Sequence, residues 1–169
     1  HGFAGELGHL PIDPRGRQCP CGQRGCLETV ASGSALLAHW PAGGSNPGRA
    51  LLAAAGPDNP DPEARAEAQA AFEMLVEGSA SAIRALGLVI DPDVIVIGGG
   101  LRLLGAPFLD AIHTALADWA RESDFLAALG LGERIAVLPE GSPVAAVGAA
   151  WLVGSQSPGT HSRGAEQPS

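Results

Sequence analysis

All three cysteines of the chain lie in one short segment, CPCGQRGCLE, which spans residues 19–28. Gly22 and Gly25 allow the tight backbone turns that aim several side chains at one point. Thiolate sulfur is a preferred zinc ligand, and a structural zinc site takes four donors in a tetrahedron. The spacing therefore predicts a metal-bound loop in which Cys19, Cys21 and Cys26 supply three of the ligands.

A fourth ligand is available at His9, which lies ten residues before Cys19 beside a glycine. Three thiolates and one imidazole fill a tetrahedral shell, so we expect structural rather than catalytic Zn²⁺. A redox pair is disfavoured because that chemistry typically uses C-x-x-C, whereas the first two cysteines here form C-x-C. Three free cysteines with no joint purpose remain the alternative.

Composition narrows the class of protein. The net charge is -8, with ten arginines scattered among 18 acidic residues, so no nucleic-acid surface is expected in this segment. A hydrophobic content of 46% is enough for a soluble globular core, and no apolar run approaches the roughly 20 residues of a membrane span. The odd cysteine count and the lack of a signal peptide favour a reduced, cytoplasmic setting without a membrane partner.

The hydrophobic periodicity predicts alternating helices and strands, and therefore an α/β fold with a small parallel sheet. The clearest helix follows Asp61, a good N-cap, and carries apolar residues at three- and four-residue steps until Gly87, a plausible stop. The run Val94–Ile97 reads as a strand buried on both faces. The predicted elements are helices at 28–40, 62–86, 107–120 and 144–153, and strands at 94–97 and 134–138.

Two features predict that this is one part of a longer protein. The chain enters dense motifs directly from His1, and the predicted sheet is small for a domain that stands alone. We expect one domain over residues 1–153 and a disordered tail over residues 154–169, which show no periodicity.

Two carboxylates flank the predicted metal site in the sequence. Glu6 precedes His9 by three residues in AGELGH, and Glu28 follows Cys26 by two. A metal that gathers the ligands also brings these carboxylates together, and an imidazole can bind metal through one nitrogen and donate from the other. Such a trio suits a polyhydroxylated ligand such as a sugar. The alternative is that Glu28 only begins the next helix while Glu6 faces solvent.

The motifs AGELGH and CPCGQRGCLE together resemble the ROK family, which joins bacterial sugar kinases and sugar-responsive transcriptional repressors. The resemblance runs from residue 2 to about residue 153. It implies the C-terminal domain of an actin-like ATPase (ribonuclease H-like) fold with a zinc-stapled loop. By motif position, the resemblance implies that zinc is bound by His9, Cys19, Cys21 and Cys26. It also implies that the sugar is contacted by Glu6, His9 and Glu28.

The glycine run Gly98-Gly99-Gly100 follows the predicted strand VIVI. Ligands of α/β folds bind at the carboxyl ends of strands, where glycine lets the backbone approach a nucleotide closely. Alone, such a run can simply turn the chain. The resemblance implies a nucleotide-side segment here, with Gly148 close to the adenine; close helix packing is the alternative at Gly148.

The family's kinases also carry a phosphate-binding D-x-G-x-T and an aspartate base, and this sequence contains no such pattern. No catalytic residue is therefore assigned, and the chain by itself is not expected to be catalytic. The leading function is an ATP- and Mg²⁺-dependent kinase of hexoses or N-acetylhexosamines. The alternatives are the sugar-sensing part of a transcriptional repressor and a metal-bound interaction module. If the protein is a kinase or a repressor, we expect it to form a homo-oligomer.

Overall fold

The computed structural model describes residues 3–44, 46–139 and 141–154, in two units that divide after Leu138. Among the described residues, the first unit contains five α-helices, several short 3-10 turns and two strands, and the second contains one α-helix. In chain order the elements are α1 (Gly33–His39), α2 (Pro47–Ala55), α3 (Pro62–Val89), β1 (Ile95–Ile97), α4 (Gly105–Glu122), α5 (Asp124–Ala128), β2 (Ile135–Val137) and α6 (Val144–Gly154). The predicted α/β class is confirmed.

The longest helix, α3, begins where the sequence predicts. The side chain of Asp61 accepts hydrogen bonds from the backbone N–H groups of Glu63 and Ala64, and Pro62 occupies the first turn. The apolar face of α3 packs against α2 and α4. The core around these helices includes the fully buried side chains of Leu51, Leu75, Leu104 and Ile112, together with the larger and almost fully buried Trp40 and Phe108.

The helix does not stop at Gly87, as the periodicity predicts, but continues to Val89. Gly87 is buried inside the helix, where an added Cβ would overlap Leu131. The glycine thus serves the close approach of a neighbouring turn. Beyond the helix end, Asp91 is a non-glycine residue with a positive φ, of 50°.

The two strands form a parallel pair, with Ile95 opposite Ile135 and Ile97 opposite Val137. The prediction that the first strand is buried on both faces is wrong: Ile95 is 8% exposed, but its neighbour Val96 is 55% exposed. Burial therefore alternates along β1, as in a strand with only one face on the core.

The helix predicted over residues 28–40 is shorter than expected and is preceded by a separate turn. Leu27–Thr29 forms a 3-10 turn, and α1 begins only at Gly33. Ser32 separates them, since its hydroxyl accepts from Ala35 N–H and donates to the Glu28 carbonyl. Glu28 therefore sits in a short turn next to the cysteine loop rather than within a helix.

The second unit is described by itself. Its helix α6 confirms the closing helix predicted from Val144, and it contains Gly148. The predicted tail falls almost wholly on residues 155–169, which lie outside the described residues. Within the described ranges, no helix combines the length and apolar character that a membrane crossing requires.

Candidate functional site

The three cysteines and His9 converge as the sequence predicts. One ligand atom from each residue, a sulfur or an imidazole nitrogen, lies within 4.8 Å of all the others. Cys21 Sγ and Cys26 Sγ are 3.6 Å apart, and Cys19 Sγ is 3.8 Å from His9 Nδ1. The edge of a tetrahedron with metal–sulfur bonds of about 2.3 Å is ~3.8 Å. The donor set and its spacing therefore fit a four-coordinate metal ion.

Backbone pairing holds the metal-ligand loop closed. Pro11 forms an antiparallel bridge with Cys26, and Gln18 forms another with Arg24. The sharp turns occur at Gly22 and Gly25, whose φ angles are 96° and 66°. Gly25 is buried, and a Cβ there would overlap the Asp13 carbonyl. The predicted need for glycine at both positions is confirmed by their positive φ.

In the metal-free chain, the pKa values of two of the thiols are shifted in opposite directions. Hydrogen bonds from the backbone and the side chain of Gln23 lower the pKa of Cys21 from 9.0 to about 6. Burial, reinforced by the neighbouring thiols, raises the pKa of Cys26 to about 12. Cys21 is exposed and Cys26 buried, which agrees with these directions. A bound cation would stabilise both thiolates, so metal binding must release the Cys26 proton.

His9 connects the metal-ligand group to the predicted carboxylates. Its Nδ1 faces Cys19, whereas its Nε2 lies 3.9 Å from Glu6 Oε2. The imidazole is 42% exposed and Glu6 is 60% exposed, so this side is open to solvent. One nitrogen is thus directed to the metal position and the other to a surface where a ligand can bind.

Glu28 lies in the same region as His9. The Leu27 N–H donates to the Leu10 carbonyl, which places the turn containing Glu28 beside the turn Leu7–His9. The Glu28 carboxylate lies against Gly8, because a Cβ at Gly8 would be 2.7 Å from Glu28 Oε2. The structure therefore places Glu6 beside His9 and Glu28 beside the preceding Gly8.

A cavity of about 500 Å³ opens beside this group and is lined by both His9 and Glu28. Ligand pockets typically measure roughly 300–1,000 Å³. Besides backbone groups, the lining offers several side chains that give or accept hydrogen bonds, namely Arg17, Gln18, Thr29 and Ser34. The sequence analysis missed these side chains, and also Gly8. The only signal for Gly8 was its place inside the motif AGELGH, whereas the others become neighbours through loop folding.

The glycine run is a turn at the carboxyl end of β1, as predicted. Gly99 has φ of 62°, and an added Cβ at Gly99 or Gly100 would have no atom within 4 Å, while one at Gly98 would meet only Leu138, at 3.9 Å. This backbone is therefore open to a ligand. Gly98 also lines a cavity of about 270 Å³ together with Glu28, so the turn and the carboxylate border one space. Gly148 belongs to the other unit, and its role stays a prediction.

Comparison with known proteins identifies the family. The model of the ROK family matches residues 1–156. The chain belongs to the ROK family. Among curated ROK relatives, it is 32% identical over 169 residues to a glucokinase of Halalkalibacterium halodurans, an alignment that covers 92% of this chain and 49% of the relative. It is 37% identical over 105 residues to an N-acetylmannosamine kinase of Vibrio vulnificus, with 60% of this chain and 33% of the relative covered.

Solved ROK structures share the fold. A ROK hexokinase from Thermus thermophilus superposes with a TM-score of 0.66 and 28% identity, over 89% of this chain and 49% of the hexokinase. A ROK glucokinase from Streptomyces griseus, in complex with glucose and AMPPNP, gives a TM-score of 0.63 and 25% identity over 88% of this chain and 51% of that one. A ROK transcriptional regulator, a homologue of the E. coli MLC protein, superposes with a TM-score of 0.51 and 28% identity. That match covers 81% of this chain and 34% of the regulator.

The alignments cover only part of each relative. The chain spans between about a third and a half of the length of the ROK relatives named above. The match extends over the metal-ligand loop, both carboxylates and the glycine turn, all of which lie inside residues 1–156.

Proposed function

We propose that this chain is the sugar-binding half of a zinc-containing, ATP-dependent kinase that phosphorylates a hexose or an N-acetylhexosamine. The observation that carries the proposal is the position of His9, with one nitrogen toward three thiols and the other toward Glu6. Its support from relatives is that the similar ROK enzymes are named as a glucokinase, an N-acetylmannosamine kinase and a hexokinase.

In this proposal zinc is structural and acts through position. When bound, Zn²⁺ would hold His9, Cys19, Cys21 and Cys26 together and fix the imidazole with Nδ1 on the metal. The remaining proton of His9 then sits on Nε2, which can donate to a sugar hydroxyl. A neutral ring with that tautomer is an oriented donor beside the carboxylates.

Glu6 and Glu28 would accept hydrogen bonds from the sugar hydroxyls. Ionised carboxylates only accept, and hydroxyls donate readily, so two carboxylates and one N–H donor match adjacent hydroxyl groups. Charge-assisted hydrogen bonds of this type contribute about 1.5–3 kcal/mol each. Ser34 and Thr29 line the cavity of about 500 Å³ together with His9 and Glu28, and their hydroxyl groups offer further hydrogen-bond partners for the sugar.

The nucleotide would bind at Gly98, Gly99 and Gly100, where the open backbone of the turn fits the close approach of a nucleotide. ATP would supply the phosphoryl group with Mg²⁺, and Gly148 would lie near the adenine. We assign no catalytic base to this chain, and the phosphoryl transfer would be completed by groups outside it. The support is that the similar Streptomyces griseus glucokinase was solved with AMPPNP.

Sugar binding is tested directly on the chain. Isothermal titration of the zinc-loaded chain with glucose, N-acetylglucosamine and N-acetylmannosamine should show saturable binding of at least one sugar. Glu28→Gln keeps the shape but removes the charge, so the affinity should fall about 10- to 100-fold. Glu122→Gln, at the exposed end of α4, is the matched control and should bind normally. No binding of any sugar by the wild type would reject the proposed site.

The second candidate is the sugar-sensing part of a ROK transcriptional regulator, which the similarity to such a regulator favours. Both candidates require the same sugar site, so activity must separate them. Sugar-dependent release of ADP from ATP by the full-length protein would support the kinase. Sugar binding without any ADP release, across the same three sugars, would favour the regulator.

A further inference from the structure

A second cavity, of about 460 Å³, lies between α3, α4, α5 and the turn that follows α5. It contains none of the residues assigned above to sugar, metal or nucleotide. Its walls are mostly apolar, with Leu116, Trp119, Leu126 and Leu131 among them, and its polar side chains are Arg84, His113 and Glu133. A cavity of this size with few polar groups has the character of a small-molecule site.

The walls of this cavity are closely packed rather than loosely apposed. Gly87 of α3 leaves room for Leu131, whose side chain a Cβ at that position would overlap. A Cβ at Gly132 would lie 3.3 Å from His113 Nδ1, so the imidazole rests on that backbone. Gly130 makes the turn with φ of 57°. Three glycines thus let the turn after α5 settle onto α3 and α4 and shape the cavity.

The Arg84 side chain contacts an aromatic ring but, among the described residues, uses none of its N–H groups in hydrogen bonds. Its guanidinium carbon lies 4.2 Å from the centroid of the Trp119 ring. Contact with the ring face restrains the guanidinium while its N–H groups stay available to the two oxygens of a carboxylate or phosphate. Within the part of the chain that the structure describes, Arg84 forms no ion pair and donates no hydrogen bond.

Other arginines near this region are paired. Arg121, on the same helix as Trp119, pairs with Asp118, and Arg134 pairs with Asp91 at 2.5 Å. Glu133 also lines the cavity, but it is exposed and forms no ion pair with Arg84, so water screens its charge. In a chain of net charge -8, an oriented and unpaired guanidinium in an apolar cavity is a binding group for an anion.

We propose that this cavity binds a small organic anion, in which an apolar body carries a carboxylate or a phosphate monoester. Arg84 pairs with the oxyanion, while Leu116 and Leu126 contact the body. This ligand site is separate from the proposed sugar site and does not depend on it.

The test is a fluorescence titration of the chain with three probes of similar size: benzoate, phenyl phosphate and the neutral benzyl alcohol. Trp119 reports on the cavity. Saturable binding of benzoate supports a carboxylate ligand, saturable binding of phenyl phosphate supports a phosphate ester, and benzyl alcohol should bind much more weakly. A minimal ligand of this kind should bind with a Kd in the millimolar range. The proposal is overturned if neither anion binds at concentrations up to about 10 mM.

Variants identify the binding group. Arg84→Met keeps the aliphatic stem and should weaken anion binding about 10- to 100-fold, whereas Arg121→Met, on a paired arginine outside the cavity lining, should leave it unchanged. Equal anion affinity in Arg84→Met and the wild type contradicts the proposal. If Arg84→Met unfolds, Ala127→Phe keeps the Arg84–Trp119 contact and fills the cavity. Loss of anion binding in that variant supports the site, and unchanged binding overturns it.

Discussion

The Glu28 carboxylate lies on the backbone of Gly8, with so little space that a Cβ there would be 2.7 Å from Glu28 Oε2. The φ angle of Gly8 is outside the left-handed region, so the backbone itself would accept a side chain. Only the Glu28 carboxylate would have to move to admit one. The second glycine of the motif AGELGH therefore leaves room for the carboxylate of a residue twenty places later in the chain.

Gly8→Ala should displace the Glu28 carboxylate without unfolding the loop. We expect sugar affinity to fall about 10- to 100-fold, the loss of one charge-assisted contact, while zinc content stays the same. Gly33→Ala is the matched control, since an added Cβ there meets no atom within 4 Å. Titration of both variants with the same sugar measures the effect. Normal affinity in Gly8→Ala would show that Glu28 does not contact the sugar.

The metal site makes a stoichiometric prediction. Elemental analysis of the purified chain should find about one zinc per chain, because three thiolates and one imidazole fill a tetrahedral shell. Cys21→Ser should lose the metal and with it the order of residues 6–28. His39→Gln, whose imidazole contacts the Thr29 carbonyl and not the cysteines, should keep the metal. A stable wild type without metal would refute the structural role of zinc.

The thiol acidities predict which cysteine reacts in the metal-free chain. Because its pKa is lowered to about 6, Cys21 is a thiolate at pH 7, and its alkylation by iodoacetamide should slow as the pH falls through 6. Cys26, with its pKa raised to about 12, should stay a protonated and unreactive thiol over the same range. Peptide mapping after alkylation at a series of pH values measures both.

The same reaction has two controls. Gln23→Ala removes one hydrogen bond to Cys21 and should move the inflection of its pH profile upward. Zinc should protect all three cysteines, and its affinity should fall with decreasing pH as protons compete for the sulfurs. A Cys21 profile with its inflection at the ordinary 9.0 would contradict the hydrogen-bonded geometry.

Gly22 and Gly25 should differ in their sensitivity to alanine. Gly22→Ala meets no atom within 4 Å, so only its positive φ is strained, at a cost of about 1–2 kcal/mol. Gly25→Ala adds an overlap with the Asp13 carbonyl to the same strain and should cost at least about 3 kcal/mol. Urea unfolding of the zinc-loaded variants gives both values. Equal destabilisation would mean that the loop does not pack on Asp13.

Local chemistry explains what the sequence could predict. Asp61 and Pro62 start α3 through groups adjacent in the chain, and the cysteine spacing with two glycines closes a loop by itself. These features depend on few distant contacts. The convergence of His9 with the cysteines followed from ligand chemistry, and its two nitrogens face the directions that a shared metal and sugar role requires.

Contacts between distant segments explain what the sequence could not predict. Gly87 looks like a helix stop until Leu131 is seen to pack on it. The run VIVI looks fully buried, but the exposure of Val96 depends on which elements cover the sheet. Ser32 ends one turn and starts α1 through two hydrogen bonds that periodicity does not show. The cavity beside Arg84 likewise exists only after α5 folds onto α4.

The central claim is that a metal-bound loop positions Glu6, His9 and Glu28 to hold a sugar. The most direct measurement is the sugar affinity of one preparation of the chain, determined zinc-loaded, after chelation, and after zinc is restored. We predict saturable binding with zinc, a loss of at least about tenfold in affinity on chelation, and recovery when zinc returns. Sugar affinity that is the same in the zinc-loaded and the chelated chain would contradict the claim.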